Sequence, residues 1–529
     1  MSGYFYRTLF STAAAVAALF MSSEVEAKVT MPSVFGDNMI LQRDIPVSVW
    51  GWADKGETVT VKFNGQEKTA MPDENGKWTV KLLSMKASKK PLEMTVSGQN
   101  TLKFKKTLIG EVWVCSGQSN MSMTVNRCLD FAKEQSEANF PEIRQINVSR
   151  VHAAKPAKNI RAHWTICSPK TVGGFTAAGY FFAKDLFKEL NVPIGLISTN
   201  WGGTRIEPWT APEGFRMVPE LKKLSTQVDE WDSTTKAGSK THKEFVTKLK
   251  TWIPEAEKAL SAGEEVPEMP AAPTSQANNK APTRLYNAMI APIIPYGIRG
   301  AIWYQGESNG REGISYFHKK QALIKGWRKL WNQGDFPFYF VQLANYQKSS
   351  KDKPQMGDGW ARVRDAQTKC LEIPNTGMAV IIDIGEANDI HPKNKQDVGK
   401  RLARWALAKD YGKNIVFSGP LYKSSKIEGN KISVSFDNIG SGLMIGEKTG
   451  LEPTKEVKNG KLKWFSICGK DKKWHWADAK IDGNSVVVSS PEVKAPTAVR
   501  YAYTYNPEGC NLYNKEGLPA SPFQTEEVK

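Results

Sequence analysis

Three features of this 529-residue chain have residue types and spacing suited to chemistry: a serine just after a tight turn, a histidine with an acid two residues before it, and two glycine-bearing turns. The serine is Ser119, in Cys115-Ser116-Gly117-Gln118-Ser119-Asn120-Met121, where Gly117 permits a sharp change of direction. The histidine is His391, in Asn388-Asp389-Ile390-His391-Pro392. Gly202 and Gly203 follow Thr199-Asn200-Trp201, and Trp303-Tyr304-Gln305-Gly306-Glu307-Ser308-Asn309 sets a side-chain amide beside another glycine. Serine-based acyl transfer needs a hydroxyl activated by an imidazole, an acid that orients the imidazole, and donors aimed at the developing oxyanion. A glycine N–H serves as such a donor because no side chain obstructs it. A Gly-x-Ser pattern alone is common and reads as a structural turn; the other blocks give it weight. Of the six histidines, His163 follows Arg161-Ala162 and His475 lies between Trp474 and Trp476, which suits packing or surface roles. His152, His242 and His318 lack an adjacent acid and turn.

Each block follows an apolar run that could hold it in place. Leu108-Ile109-Gly110-Glu111-Val112-Trp113-Val114 precedes the serine, and Ile194-Gly195-Leu196-Ile197-Ser198-Thr199 precedes the glycines. Ile298-Arg299-Gly300-Ala301-Ile302-Trp303-Tyr304 leads into the amide block, and Met378-Ala379-Val380-Ile381-Ile382-Asp383-Ile384 comes before the histidine. Such runs, separated by amphipathic stretches at 177–190 and 316–331, predict a mostly parallel sheet covered on both faces, with the four blocks gathered at its carboxyl edge. This α/β domain is predicted over residues 108–410. A charged, helix-spaced segment and a Pro/Ala/Ser return at about 215–282 read as an insertion able to cover the site. Short alternating strands with Asn-Gly turns predict a β-sandwich at 28–107, and a second is predicted at 411–529, with Asp482-Gly483-Asn484 as one of its turns.

Residues 1–27, with Arg7 ahead of an apolar run at 9–20 and Val25-Glu26-Ala27 at the end, read as a signal peptide, so the protein is expected in the periplasm or secreted. The run is too short to span a bilayer, and no membrane association is expected after cleavage. The formal charge is +18, and loss of Arg7, Glu24 and Glu26 takes the mature chain to +19. The lysines are scattered, with no basic motif that would suit nucleic acid; a solvated surface or an acidic ligand accounts for the balance. Six cysteines show no paired C-x-x-C spacing, so no metal is expected. Cys115 reads as a small buried hydrophobe, and Cys468 with Cys510 is a plausible disulfide in an exported chain.

The blocks Gly117-Gln118-Ser119-Asn120-Met121, Trp303-Tyr304-Gln305-Gly306-Glu307-Ser308-Asn309 and Asp389-Ile390-His391-Pro392 resemble those of the sialate O-acetylesterase family within the SGNH hydrolases. The likeness continues through Ala498-Val499-Arg500-Tyr501-Ala502-Tyr503 and Asn511-Leu512-Tyr513-Asn514-Lys515-Glu516-Gly517-Leu518-Pro519-Ala520. It implies a flavodoxin-like three-layer α/β/α domain and a serine esterase that removes O-acetyl groups from sugars without a cofactor. Ser119 would be the nucleophile and His391 the general base, with the Ser119 N–H, the Gly202 N–H and the Gln305 side chain as the oxyanion hole. Many relatives carry asparagine where this chain has Gln305, and place the acid three residues before the histidine where Asp389 stands two before. Asp383, Glu386 or a backbone carbonyl therefore stand beside Asp389 as alternatives for orienting the imidazole. O-acetylated sialic acid is the expected substrate, with acetylated xylan as the rival and a non-catalytic carbohydrate-binding protein as a third reading. Asn120, Arg205, Glu307, Arg362 and Arg364 are the candidate substrate contacts, the arginines because a planar guanidinium suits a carboxylate.

Overall fold

The computed structural model describes residues 28–274 and 277–526; the segment read as a signal peptide lies outside them. The central element is β1 (Thr101–Gly117), a strand of 17 residues whose burial changes along its length. Exposed and half-buried residues run as far as Lys106, and every residue from Thr107 on is buried. One stretch has a wet face and the other is covered on both. The first stretch pairs antiparallel with Ser88–Ser97, and Ile40–Gln42 runs parallel beside residues 108–110. The remainder lies between strands Ile194–Asn200 and Gly300–Tyr304 of the main sheet. The boundary expected at residue 108 is thus a change of surroundings within one continuous strand.

Beyond β1 the main sheet contains β2 (Ile143–Asn147), β3 (Trp164–Ile166), β4 (Ile194–Asn200), β5 (Gly300–Tyr304), β6 (Phe338–Val341) and β7 (Thr376–Ala379). Their order is β7-β6-β5-β1-β4-β2-β3. All neighbours are parallel except β2 and β3. Of the four predicted runs the last is shorter than expected. Strand β7 stops at Ala379, and residues 380–384 turn so that the buried Asp383 carboxylate meets Arg401, at 2.6 and 2.8 Å. Strand β2 does not stand out along the chain because Arg144, Gln145 and Asn147 interrupt its apolar pattern, and β6 because Pro337 precedes its four residues.

Period-two alternation inside these strands sorts their side chains into two cores. Trp113, Cys115, Ile302 and Tyr304 pack with Phe182 of α1 (Ala177–Leu190) and Leu402 of α2 (Lys395–Lys409). Val112, Val114, Ala301 and Trp303 pack on the opposite face with Trp327 of α3 (Ile314–Trp331) and Val363 of α4 (Gly359–Lys369). Helix α1 stops at Asn191, whose left-handed φ of 54° suits a terminating residue. Helix α2 begins at Asn394, whose side chain accepts from Asp397 N and donates to Asp397 Oδ2.

The insertion forms helices Pro212–Arg216, Lys222–Trp231 and Lys236–Ala262. Phe215, Val218, Leu221 and Val228 anchor it on Ala322 of α3. C-terminal to α2, Leu421–Glu428, Lys431–Asp437, Ser485–Ser489 and Asp478–Asp482 make one antiparallel sheet. Trp474–Trp476, Phe465–Gly469, Pro496–Tyr501 and Phe523–Gln524 make another. The six cysteines are all buried and unpaired, which corrects the expected Cys468–Cys510 bridge. Cys468 packs with Trp474 and Ala498, whereas Cys510 points toward the Ile382 carbonyl in a different cluster.

At the amino end of the central segment of β1, Glu111 is fully buried and accepts from Gln42 Nε2 at 2.9 Å, Arg299 Nε at 2.9 Å and Arg43 Nε. Burial alone would raise its pKa, but the bonds from Arg299, Gln42 and Arg43 outweigh it and hold the carboxyl below its ordinary value. Breaking a buried pair by removing one partner costs about 3–5 kcal/mol, so Glu111→Ala should lower unfolding stability by that order in a urea titration. Because the folded pKa is depressed, this contribution is present above the unfolded value and is lost as pH falls through the folded one. The gap between wild type and variant should therefore narrow in acid; a constant gap would show that Glu111 acts by packing alone.

Candidate active site

Three strands end level with one another: Gly117 of β1 is in register with Asn200 of β4 on one side and Tyr304 of β5 on the other. Gly117 has φ of 138°, and a Cβ there would lie 2.2 Å from the Tyr304 carbonyl oxygen, so glycine is required twice over. Gln118 N then donates to Tyr304 O at 3.0 Å, and the chain turns into a single helical turn, Ser119–Ser122. Ser119 opens that turn, so its N–H has no intrahelical acceptor. Beyond β4, Trp201 N donates to Gly117 O at 3.1 Å, which brings Gly202 against the serine; a Cβ on Gly202 would lie 3.3 Å from Ser119 Cβ.

The histidine arrives from the loop between β7 and α2. His391 Nε2 lies 2.9 Å from Ser119 Oγ, and His391 Nδ1 lies 3.2 Å from Asp389 Oδ1. The same Asp389 oxygen accepts the His391 backbone N–H at 2.8 Å. Burial pushes the Asp389 pKa up, but hydrogen bonds from the His391 backbone and ring outweigh it and keep the carboxylate below its ordinary value. The two-residue spacing works because the carboxylate folds back over its own chain. Neither alternative acid faces the imidazole: Asp383 is paired with Arg401, and Glu386 accepts Lys393 N at 2.8 Å. Elsewhere His242 bonds its own helix at Gly238 O, while His318 and His475 lie beside Glu220 and Glu492.

Several residues expected to face substrate are committed to protein partners. Gln305 is fully buried; its Nε2 donates to Thr204 O at 3.2 Å and Asn309 Oδ1 at 2.7 Å, and its Oε1 accepts from Tyr316 at 2.9 Å. No amide hydrogen remains for an oxyanion, which corrects its expected place in the oxyanion hole. Glu307 accepts from Gln118 Nε2 and Asn120 Nδ2, at 2.5 and 2.6 Å, one on each carboxylate oxygen. Its pKa is raised chiefly by burial. Glu307 therefore holds Gln118 and Asn120, the residues on either side of Ser119, so both candidate substrate contacts, Glu307 and Asn120, are engaged with protein partners here.

The three arginines have different fates. Arg364 is completely buried and donates to the carbonyls of Leu343, Ala344, Thr504 and Tyr505, so it joins the segment after β6 to the C-terminal region and cannot meet a ligand. Arg205 pairs with Glu207 and Glu312, the two carboxylates that Lys319 also bridges, and two cations against two anions leave little net charge. Arg362 is exposed, donates to Gly357 O at 2.9 Å and lines a cleft between α4 and the C-terminal sheets.

Two cations went unremarked in the sequence because lysine and arginine are spread over the whole chain. Arg150 is exposed, with Nε 3.4 Å from Asn200 O at the end of β4. Lys395, in the first turn of α2, is fully buried behind the serine, and burial pushes its pKa down to about 8.

A hydroxyl touching an imidazole that is backed by a carboxylate, at the carboxyl edge of a parallel sheet, is the arrangement by which serine hydrolases act on acyl groups. The family described as carbohydrate esterase, sialic acid-specific acetylesterase, matches residues 109–251 and 269–408. The chain belongs to this family. It is 30% identical to the sialate O-acetylesterase of Mus musculus over 93% of each chain. Identity is also 30% to the sialate O-acetylesterase of Homo sapiens, over 93% of this chain and 91% of that protein. Among solved structures, a carbohydrate acetylesterase from Xanthomonas citri superposes with a TM-score of 0.77 at 34% identity, covering 94% of this chain and all of the other.

Proposed function

We propose that this protein is a carboxylic ester hydrolase that removes O-acetyl groups from sialic acids, with Ser119 as nucleophile and His391 as general base. The observation that carries the reading is the continuous contact from Ser119 Oγ through the His391 ring to Asp389, in a chain of the acetylesterase family. Ser119 Oγ attacks the acetyl carbonyl carbon as its proton passes to His391 Nε2, and the N–H groups of Ser119 and Gly202 receive the oxyanion. The C–O bond to the sugar then breaks, and the sugar oxygen leaves with the proton from His391. Water, deprotonated by His391, attacks the carbonyl carbon of the acetyl-serine; the bond to Ser119 Oγ breaks, Oγ takes the proton back from His391, and acetate leaves. Asp389 holds the ring with Nδ1 protonated and stabilises the imidazolium between these transfers. The scaffold we assign is a flavodoxin-like α/β/α SGNH domain at 108–410, with a β-sandwich before it at 28–107 and another after it at 411–529. Export behind a cleaved leader at 1–27 accompanies this reading.

Arg150 is the cation we assign to the carboxylate of the sugar. Among the described residues its guanidinium forms no ion pair, and its single bond, through Nε, leaves both terminal nitrogens for a two-point contact. Wild-type enzyme should turn over O-acetylated sialic acids faster than acetylated xylan oligosaccharides. Arg150→Ala should raise KM for the acidic sugar about 10-fold, equivalent to ~1.4 kcal/mol, and spare a neutral aryl acetate. Preference of the wild type for xylan would overturn the substrate, and equal losses on both esters would remove Arg150 from the binding site.

A further inference from the structure

We propose that Lys395 is a positioning residue that sets the separation of Ser119 and His391, acting through Asn120; this rests on the catalytic reading above. The two residues lie 272 positions apart in the chain, on loops from different strands, yet meet at 2.9 Å. Lys395 Nζ donates to Asn120 Oδ1 at 2.9 Å and to the Pro392 carbonyl. With its oxygen held by the ammonium, the Asn120 amide can turn its Nδ2 only one way: toward Glu307 at 2.6 Å and the Ile390 carbonyl at 3.0 Å. Ile390 and Pro392 are the residues on either side of His391. Gln118 and Asn120 are those on either side of Ser119, and both hang from the single Glu307 carboxylate. The nucleophile and the base are therefore each bracketed, and Asn120 with Lys395 is the link between the brackets.

This link is built from buried groups. Lys395 is 0% exposed and Asn120 is 1% exposed, and the ammonium lies 5.3 Å from the centre of the Tyr304 ring. An unpaired amide or ammonium in that place would be costly, so the bonding pattern is strongly preferred over looser alternatives. Lys395 touches neither the serine hydroxyl nor the imidazole. Its removal should leave substrate binding alone and slow the chemistry, because displacement of a catalytic group by about 1 Å costs about 10²-fold.

The test uses the full-length enzyme and an aryl acetate, with Lys395→Met, Asn120→Leu and the double variant. Each single variant should reduce kcat about 100-fold with KM within about two-fold of wild type, and the double variant should be no slower than the worse single one, as expected for residues acting as a unit. The imidazole signals of His391 in nitrogen-15 NMR should broaden or shift in both singles, which a general loss of packing elsewhere would not produce. Lys395→Met with wild-type kcat, or additive losses in the double variant, would overturn the proposal. Should Lys395→Met fail to fold, Lys395→Gln carries the same test, since it keeps a polar group at the position but is too short to reach both Asn120 Oδ1 and the Pro392 carbonyl, and wild-type kcat in it would equally overturn the proposal. Ser119→Ala in the same assay separates the two readings: if it is active the catalytic assignment falls, and if it is inactive while Lys395→Met is normal only the positioning role falls.

Discussion

Ser119→Ala is expected to fold as the wild type does and to hydrolyse a generic acetyl ester at least about 10⁴-fold more slowly. The folded state should tolerate the change because the hydroxyl supports no other element: the turn is held by backbone bonds from Met121 and Ser122 to Gln118 O and by the Glu307 contacts of the flanking side chains. The reaction should not tolerate it, because an alanine leaves His391 with no nucleophile to activate except bulk water. The N–H of residue 119 and that of Gly202 survive the substitution, so residual oxyanion stabilisation sets the floor that remains. Turnover of an aryl acetate, followed alongside thermal unfolding, checks the prediction. Activity within 10-fold of wild type would remove Ser119 from the mechanism.

Asp389→Ala is expected to reduce kcat/KM by up to about 10⁴-fold, because it deletes the acceptor of the ring Nδ1–H and the charge that offsets the imidazolium. Asp389→Asn should be milder, nearer 10²-fold. The reason lies in the geometry: one oxygen, Oδ1, accepts both the His391 backbone N–H and the ring nitrogen. An asparagine that keeps its oxygen on the backbone N–H still offers an acceptor to Nδ1 and preserves the tautomer, so only the charge is lost. The Asp389 side chain is 41% exposed, and solvent supplies part of that charge stabilisation in either variant. Steady-state rates for the two variants side by side decide the matter. Equal losses in Ala and Asn would show that charge, not orientation, is the whole contribution, and near-normal rates in both would leave the imidazole without an acid.

Much of this site was legible along the chain. Gly117 is readable because the turn needs a left-handed φ and a close approach that other residues cannot supply, and His391 stands apart because few histidines follow an acid near a turn after an apolar run. The predicted parallel sheet carries all four blocks, and its long apolar runs mark strands β1, β4 and β5. Strand β2 is broken by Arg144, Gln145 and Asn147 and β6 follows Pro337, so neither reads as a continuous run, and the end of β7 depended on Arg401 pulling Asp383 aside.

By itself, then, the sequence determined that a serine, a histidine, an acid and glycine turns would stand at the ends of parallel strands, because local turn chemistry and apolar periodicity are properties of neighbouring residues. Only the tertiary structure decided what each polar side chain does there. A buried amide has a fixed number of donors and acceptors, and for Gln305 they are taken by Thr204, Asn309 and Tyr316, whose positions depend on β4, the turn after β5 and α3 meeting in space. The same holds for Glu307, Arg364 and Lys395. Each carries a charge that burial makes costly to leave unpaired, and its partners lie 20 to 275 residues away or within its own turn, so the pairing is set by packing and not by the string of residues around it.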